Sequence, residues 1–468
     1  MSCKNYSIKN FIDATTYLDS FINYEKKVFF PYAKTLKLQR VKCLLDALNI
    51  DYKKLKCIHL AGTKGKGSTA TFCAYLLSSG GYKIGLYTSP HFFDFRERIQ
   101  VLRETRNQST KTRKKIKKCL IPKNEVVGIL KEMQPQLEKL RFTRKLGKLS
   151  FFEVYTALAF KYFLKENLDF VVLETGLGGE LDATNVVNPL VSIITHIGYD
   201  HTDKLGNTLS EIAAQKAGII KKNVEVISAP QKPPVLKVFK EKSRKLKSKL
   251  FVFGKDFKIS NTNLHSDGSV FDFHFGDNEL KNLRVSLKGK YQLENASLAL
   301  TSMFILREKG ILDGNIKFKE AISNSFIEGR FEILKNNPLI IVDIAHNQSS
   351  FTVLRENLDI YYPSKKIILV FAASEDKDIR NMIKRINYQH IILTRFNNPR
   401  TREPLQIQQI CKLKNALIAN DVKSAIALAK SLYKHNSLIL VSGSLFLVSE
   451  AKELLQSPEG RKTRDEGR

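Results

Sequence analysis

At 468 residues the chain is long enough for two or three domains, each with its own core. Its hydrophobic share of 43% is ordinary for a soluble protein, no stretch approaches the run of about 20 apolar residues a membrane helix needs, and the polar start MSCKNYSIKNFIDATTYL lacks a signal-peptide apolar region, so no membrane partner and a cytoplasmic location are expected. The 77 lysines and arginines against 46 acidic residues give +31, which fits polyanionic partners, although lysines spread over solvated faces account for most of the excess.

In chain order, Tyr17, Leu18, Phe21 and Ile22, then Leu38, Val41, Leu44, Leu45 and Leu48, repeat at helical period. Tyr32 to Arg40 between them reads as a loop, and Arg40 as either an anion contact or a surface arginine. Cys57 to Ala61 reads as a buried strand, followed by the loop Gly62-Thr63-Lys64-Gly65-Lys66-Gly67-Ser68 and a helix over Thr69 to Leu77. Ile84 to Tyr87 is a second strand, ending Thr88-Ser89-Pro90. Strand, glycine loop, helix, strand is a unit that holds a nucleotide triphosphate: backbone N–H groups approach phosphate, the helix N-terminus adds positive potential, and Lys66 adds a full charge. A strict G-x-x-x-x-G-K-[ST] is absent, because its first glycine falls on Leu60 and Gly67 follows the lysine. An ordinary glycine-rich turn is the weaker reading.

The six cysteines, Cys3, Cys43, Cys57, Cys73, Cys119 and Cys411, form no C-x-x-C pair, and Cys57 and Cys73 read as core thiols. His91 to Leu102 places Phe92, Phe93 and Phe95 beside Arg96, Glu97 and Arg98, as a floor for a flat ligand or as core packing. Arg103 to Lys123 reads as an exposed inserted loop holding a basic run at Lys111, Arg113, Lys114, Lys115, Lys117 and Lys118. Without interleaved aromatics it gives little ground for nucleic-acid binding. Helices are expected over Asn124 to Lys139 and Phe151 to Leu164, the second opened by a Ser150/Glu153 capping box that explains both residues structurally.

Asp169 to Leu173 is a strand ending at Glu174 and Gly176-Leu177-Gly178-Gly179, where a nucleotide-bound Mg²⁺ would be held. Val191 to Thr195 ends in His196 and Asp200-His201-Thr202; His201 suits a metal or phosphate contact, His196 a structural hydrogen bond. Lys216, in a helix over Leu209 to Ile219, either points into the site or lies on the surface near the helix end. Glu225 to Ala229 is a strand. Pro233-Pro234 interrupts the pattern before a basic helix over Leu236 to Leu250, hairpins fill 251 to 287, and a helix spans Gly289 to Glu308.

Near Phe326 to Arg330 the pattern resets. Strands at Leu339 to Asp343, Ile367 to Phe371, His390 to Thr394, Ala416 to Ile418 and Leu438 to Val441 alternate with helices, a second parallel α/β unit. Asp343, His346 and Asn347 at a strand end could reach ribose or phosphate, or merely cap a turn. Ser374, Asp376 and Lys377 form a similar cluster, and the polar tail QSPEGRKTRDEGR reads as disordered.

Taken together, Gly62 to Thr69, Thr88-Ser89-Pro90-His91, Glu97-Arg98-Ile99, Phe152-Glu153, Glu174 to Gly179 with Leu181 to Asn185, Asp200-His201-Thr202, Gln215 to Ile219 and Asp343 to Asn347 resemble the folylpolyglutamate synthase and dihydrofolate synthase family of Mur-ligase-like amide ligases. The resemblance runs from roughly residue 30 to 450, in the family's order. It implies a P-loop-type α/β domain over 1–328 with the pterin site, a smaller Rossmann-like domain over 329–456, a tail over 457–468, and ATP bound between the domains. It implies that Gly62, Thr63, Lys64, Gly65, Lys66, Gly67 and Ser68 hold ATP phosphates, with Asn295, Arg330, Asp343 and His346 also toward ATP. Ser89, Glu174 and His201 would hold Mg²⁺, with Lys216 carbamylated into a further ligand; Lys66, Lys216 and His201 are the catalytic candidates. Arg40, Phe151, Phe152, Glu153, Leu181, Asp182 and Ala183 would line the pteridine pocket.

Three departures stand out: Glu180 where the family has Arg, Gln348 where it has Pro, and Ile327-Glu328-Gly329-Arg330 for Trp-Pro-Gly-Arg. The activity implied is ATP-dependent addition of L-glutamate to dihydropteroate, to the γ-carboxylate of folyl-glutamate, or to both, by a monomer. A Mur-type ligase for a cell-wall nucleotide precursor, and a basic nucleotide-dependent nucleic-acid-binding module, are the alternatives. Phe152-Glu153 and Leu181 to Asn185 argue against the former.

Overall fold

Strand β1 (Cys57–Ala61) is buried along its whole length and forms the middle of an eight-stranded sheet. The other strands are β2 (Ile84–Tyr87), β3 (Ile99–Arg106), β4 (Lys114–Leu120), β5 (Phe170–Glu174), β6 (Val191–Ile194), β7 (Glu225–Ser228) and β8 (Leu250–Val252), in the order β4-β3-β2-β5-β1-β6-β7-β8. From β2 to β8 neighbours run parallel, and β3 and β4 close one side as an antiparallel hairpin. Continuous apolar runs such as Phe170 to Leu173 arise because a parallel sheet is covered on both faces. The computed structural model describes residues 7–24, 30–106, 114–141, 147–265 and 268–456.

The helix Lys66–Ser79 is buried from Ser68 onward, packed between the sheet and the helix Lys290–Glu308. A helix covered on all sides loses its polar face, which is why both show an almost uninterrupted buried sequence. Helices Phe11–Asp19, Leu38–Ala47, Lys123–Arg141 and Phe151–Lys165 enclose a further core, built on Tyr17, Leu44, Tyr155 and Phe160. Cys57 and Cys73 are fully buried, and burial pushes both thiols up to about 12, so they are inert core residues.

Strands β9 (Phe257–His265), β10 (Gly268–Phe275) and β11 (Asn278–Val285) form a three-stranded sheet in the order β11-β10-β9. The remaining strands, β12 (Glu332–Asn336), β13 (Leu339–Asp343), β14 (Lys366–Phe371), β15 (His390–Leu393), β16 (Leu417–Ile418) and β17 (Ser437–Ser442), form a sheet ordered β12-β13-β17-β14-β15-β16. It is parallel except for the antiparallel β12–β13 pair. The eight-stranded and six-stranded sheets, largely parallel and joined through helices, belong to the α/β class expected. The chain divides into one unit of Met1–Asn263, Val270–Ser286 and Lys290–Ser325, and a second of Phe326–Arg468 with Leu264–Ser269 and Leu287–Gly289.

Several expectations need correction. Tyr32 to Arg40 is not a loop: Tyr32–Thr35 forms a helical turn and Arg40 lies inside the helix Leu38–Ala47. The Arg103 to Lys123 loop is largely the β3–β4 hairpin, where lysines on an outermost strand discourage pairing with another chain. Lys111 and Arg113 of its basic run fall outside the described residues, as does the tail from residue 457. Pro233 and Pro234 do not precede their helix but start it, since the first helical turn needs no donor N–H there. The loop helix begins at Lys66 rather than Thr69, the Leu209–Lys216 helix tightens into a 3₁₀ turn at Ala217–Ile219, and β12 was not anticipated.

Candidate active site

The carboxyl ends of β1, β2, β5 and β6 come out along one edge of the first sheet, because parallel register aligns Leu60 with Glu174, Tyr87 with Leu173, and Ala61 with Ile194. Ligands bind outside such an edge in open α/β sheets. Here the edge carries the glycine loop, Ser89, Glu174 and the His196 to His201 segment.

The loop's backbone shape depends on glycine. Gly62 has φ +151°, and a Cβ there would fall 1.8 Å from Thr195 Oγ1. Gly65 has φ +89°, caps the Lys66–Ser79 helix, and would place a Cβ 2.3 Å from Asn295 Oδ1. The amides of Thr63 and Lys64 donate to the His196 carbonyl, and the Thr63 hydroxyl donates to Gly198 O, fixing the loop to the end of β6. His196 therefore serves structurally, as expected; its Nδ1 lies 3.3 Å from Pro230 O.

Glu174 is 3% exposed. Its Oε1 lies 3.8 Å from Lys66 Nζ, and its Oε2 accepts the Ser89 amide at 3.1 Å. A Cβ at Gly67 would come into ordinary contact with that carboxylate at 3.4 Å, so the loop passes directly beside it. Among the described residues no cluster of three His, Cys, Asp or Glu could hold a metal ion. A Mg²⁺ that takes one or two carboxylates and completes its shell with phosphate oxygens and water would find its carboxylate in Glu174, which the Ser89 amide holds at the strand end. His201 sits at φ +48°, roughly half exposed, with its Nε2 4.0 Å from Asp200 Oδ2.

Lys216 is buried, not a surface lysine, and its ammonium donates to Gly62 O at 2.8 Å. Burial, and then the charge of Lys66, lower its pKa to about 7, while Asp200 and Asp182 oppose the shift. A lysine near that value supplies a neutral amine at cellular pH.

Arg40 is also no surface residue. It is 3% exposed and grips Glu153 with Nε at 2.8 and 3.0 Å and with the neighbouring nitrogen at 2.6 Å. Ser150 caps the helix and Glu153 returns the bond, so the capping box exists, but it does not exhaust Glu153's role. Phe152 covers Gly176 so closely that a Cβ there would meet its ring at 2.6 Å. Phe151 stacks on Tyr155 in the core, ring centroids 5.5 Å apart. Asp182 is 3% exposed and its carboxylate accepts from the amides of Gly176, Leu177 and Thr184 and from the Thr184 hydroxyl. It shapes the glycine turn after β5, and Ala183 is buried beside it while Leu181 is partly exposed. Of the phenylalanines after Pro90, Phe95 stacks with Phe11 at 5.5 Å and Phe93 is exposed.

Asn295 comes to the loop: its Oδ1 is 3.5 Å from the Thr69 hydroxyl. Arg330, Asp343 and His346 lie in the second unit. Asp343 accepts the amides of Phe331 and Ala345 at 2.9 and 2.8 Å, burial raises its pKa, and Arg330 partly offsets this. His346 Nδ1 lies 3.0 Å from Ile344 O, and Asn347 caps the helix Gln348–Tyr361.

Sequence reasoning passed over His59. It is fully buried in β1, with Nε2 2.8 Å from Thr184 Oγ1 and Nδ1 without a hydrogen-bond partner among the described residues. Burial and then Lys221 lower its pKa to about 3. Nothing in an apolar strand sequence announces such a contact, since Thr184 is 125 positions away.

Comparison with known proteins follows the same geometry. Residues 60–303 match the Mur ligase middle domain and residues 329–445 the glutamate ligase domain of Mur ligases. A "Dihydrofolate synthase/folylpolyglutamate synthase" of Bacillus subtilis is 32% identical over 426 residues, covering 90% of this chain and 95% of that protein. A folylpolyglutamate synthase of Thermotoga maritima has a structure similar at TM-score 0.80 and 32% identity, covering 96% of this chain and 97% of its own. A structure described as an FPGS–AMPPCP–folate complex reaches TM-score 0.79 at 27% identity, covering 96% of this chain and all of its own.

Proposed function

The chain belongs to the folylpolyglutamate synthase/dihydrofolate synthase family of Mur-type ligases, and from that premise we propose that it uses ATP to add L-glutamate to dihydropteroate and to the γ-carboxylate of folyl-glutamates. The observation that carries this reading is Lys66 facing Glu174 across the helix N-terminus, at the carboxyl edge of the sheet. The glycine-loop amides and Lys66 hold the ATP phosphates and offset the charge that spreads over the γ-phosphoryl group in transfer. Ser89, Glu174 and His201, with a carbamylated Lys216, would hold Mg²⁺, which supplies further neutralisation of that charge when bound.

The substrate carboxylate oxygen takes the γ-phosphoryl group as the bond to ADP breaks. The glutamate amine then attacks the acyl carbonyl, phosphate leaves, and the nitrogen's surplus proton is lost. Exclusion of water protects the acyl phosphate from hydrolysis. Phe152 and Leu181, both partly buried, offer apolar surface for the pteridine, and Arg40–Glu153 and Asp182 hold the walls that carry them. Asn295, Arg330, Asp343 and His346 are assigned to ATP. A cytoplasmic monomer working on small molecules, with no nucleic acid or membrane partner, completes the proposal.

Phosphate release from ATP with L-glutamate and dihydropteroate, then with L-glutamate and tetrahydrofolate, tests it. Turnover with both is expected. Silence with both, from folded protein, would overturn it.

A further inference from the structure

Next to the segment Ile327-Glu328-Gly329-Arg330, the second unit contains a cluster of charges built on a buried lysine. Lys452, on the helix Leu445–Gln456, is 2% exposed. Its ammonium lies 3.0 Å from Glu328 Oε2 and 3.0 and 2.8 Å from the two oxygens of Glu332. Glu332 Oε2 in turn accepts the Gly329 amide at 2.6 Å. The Gly329 carbonyl accepts Ile344 N at 3.0 Å, and Phe331 N donates to Asp343 at 2.9 Å.

Arg330 thus sits between two residues in the left-handed region, Gly329 at φ +66° and Phe331 at φ +48°. A non-glycine residue is uncommon in that region, and Phe331 is held there by its amide bond to the Asp343 carboxylate. On the other side of Arg330 the Lys452–Glu332 pair holds the amide of Gly329. We infer that Lys452 is a positioning residue for Arg330, acting through Glu332 and Glu328 on the turn that carries the arginine. The inference rests on the nucleotide-binding role proposed above for Arg330. Glu328 adds to this hold on the turn by pairing with Lys452 at 3.0 Å.

Affinity for the non-hydrolysable analogue AMPPCP, measured by calorimetry on the full chain, tests this without requiring turnover. Lys452→Met is expected to weaken binding about tenfold, Lys452→Arg to restore most of it, and Arg330→Ala to cause no further loss in the Lys452→Met background, since both act through one group. Glu328, 40% exposed at its side chain, provides the milder variant: Glu328→Gln should weaken binding about two- to threefold, again only while Arg330 is present. It carries the test if Lys452→Met fails to fold. Unchanged affinity in the folded variants, or losses that multiply with Arg330→Ala, would overturn the inference. Wild-type protein that binds AMPPCP but shows no glutamate-dependent turnover would overturn the ligase reading and leave this one standing; failure to bind AMPPCP overturns both.

Discussion

The ammonium of Lys216 donates to the carbonyl of Gly62 across 2.8 Å, with 153 residues of chain between the two. This contact places an amine depressed to about pH 7 directly under the glycine loop.

The first prediction follows from that pKa. Lysine ordinarily stays charged to about pH 10.4, and only the neutral amine adds CO₂ to form a carbamate. With the folded value near 7, the neutral fraction rises through pH 7 rather than pH 10. Turnover is expected to rise over the same range and to respond to added bicarbonate. Lys216→Ala should lose roughly a hundredfold or more in kcat, with partial recovery when a small carboxylate such as acetate is supplied. Intact-protein mass spectrometry under non-acid conditions should show one added CO₂ on wild type and none on the variant.

Lys66→Ala removes the charge 3.8 Å from Glu174 and should abolish measurable turnover, with a smaller loss of thermal midpoint than Arg40→Met, because the contact is long, Lys66 is partly solvent-exposed and Glu174 keeps its bond from Ser89. A second readout comes from Lys216. Lys66 lowers the Lys216 pKa, so its removal should shift the pH at which Lys216 reacts with CO₂ upward. Mass spectrometry across a pH series measures that shift.

Arg40→Met leaves Glu153 buried without its cation. Breaking a buried pair by removing one partner costs about 3–5 kcal/mol. The denaturant midpoint should fall accordingly, and the double variant Arg40→Met with Glu153→Gln should recover part of the loss, since the uncompensated charge is gone.

His59 governs part of the acid stability. Its folded pKa is near 3 and its unfolded value near 6.5, so below pH 6.5 the unfolded chain binds the proton and the folded chain does not. Stability therefore falls as pH drops from 6.5 toward 3. The loss at pH 5 from this group is about 2 kcal/mol. His59→Gln retains a donor toward Thr184 and removes the titration; the wild-type-minus-variant stability difference should shrink steadily from pH 7 to pH 4 in urea unfolding.

The strands β1, β2, β5 and β6, the glycine loop after β1 and the carboxylate that ends β5 were legible in the sequence, whereas the β3–β4 hairpin, β12 and the order of strands in the sheet were not. Apolar runs bounded by glycine, and an uninterrupted helical period, report local geometry, and the catalytic edge of a parallel sheet follows from where strands end. What the sequence left open were choices between surface and interior. Arg40, Lys216 and Glu153 each had an exposed or purely capping explanation, because a charged residue in one dimension carries no record of its partner. Folding decided them: Arg40 found Glu153 at 113 positions' distance, Lys216 found Gly62, and Lys452 found Glu328 and Glu332. Burying such charges is unfavourable unless their partners are already in place, and only the assembled tertiary structure supplies partners so far apart along the chain.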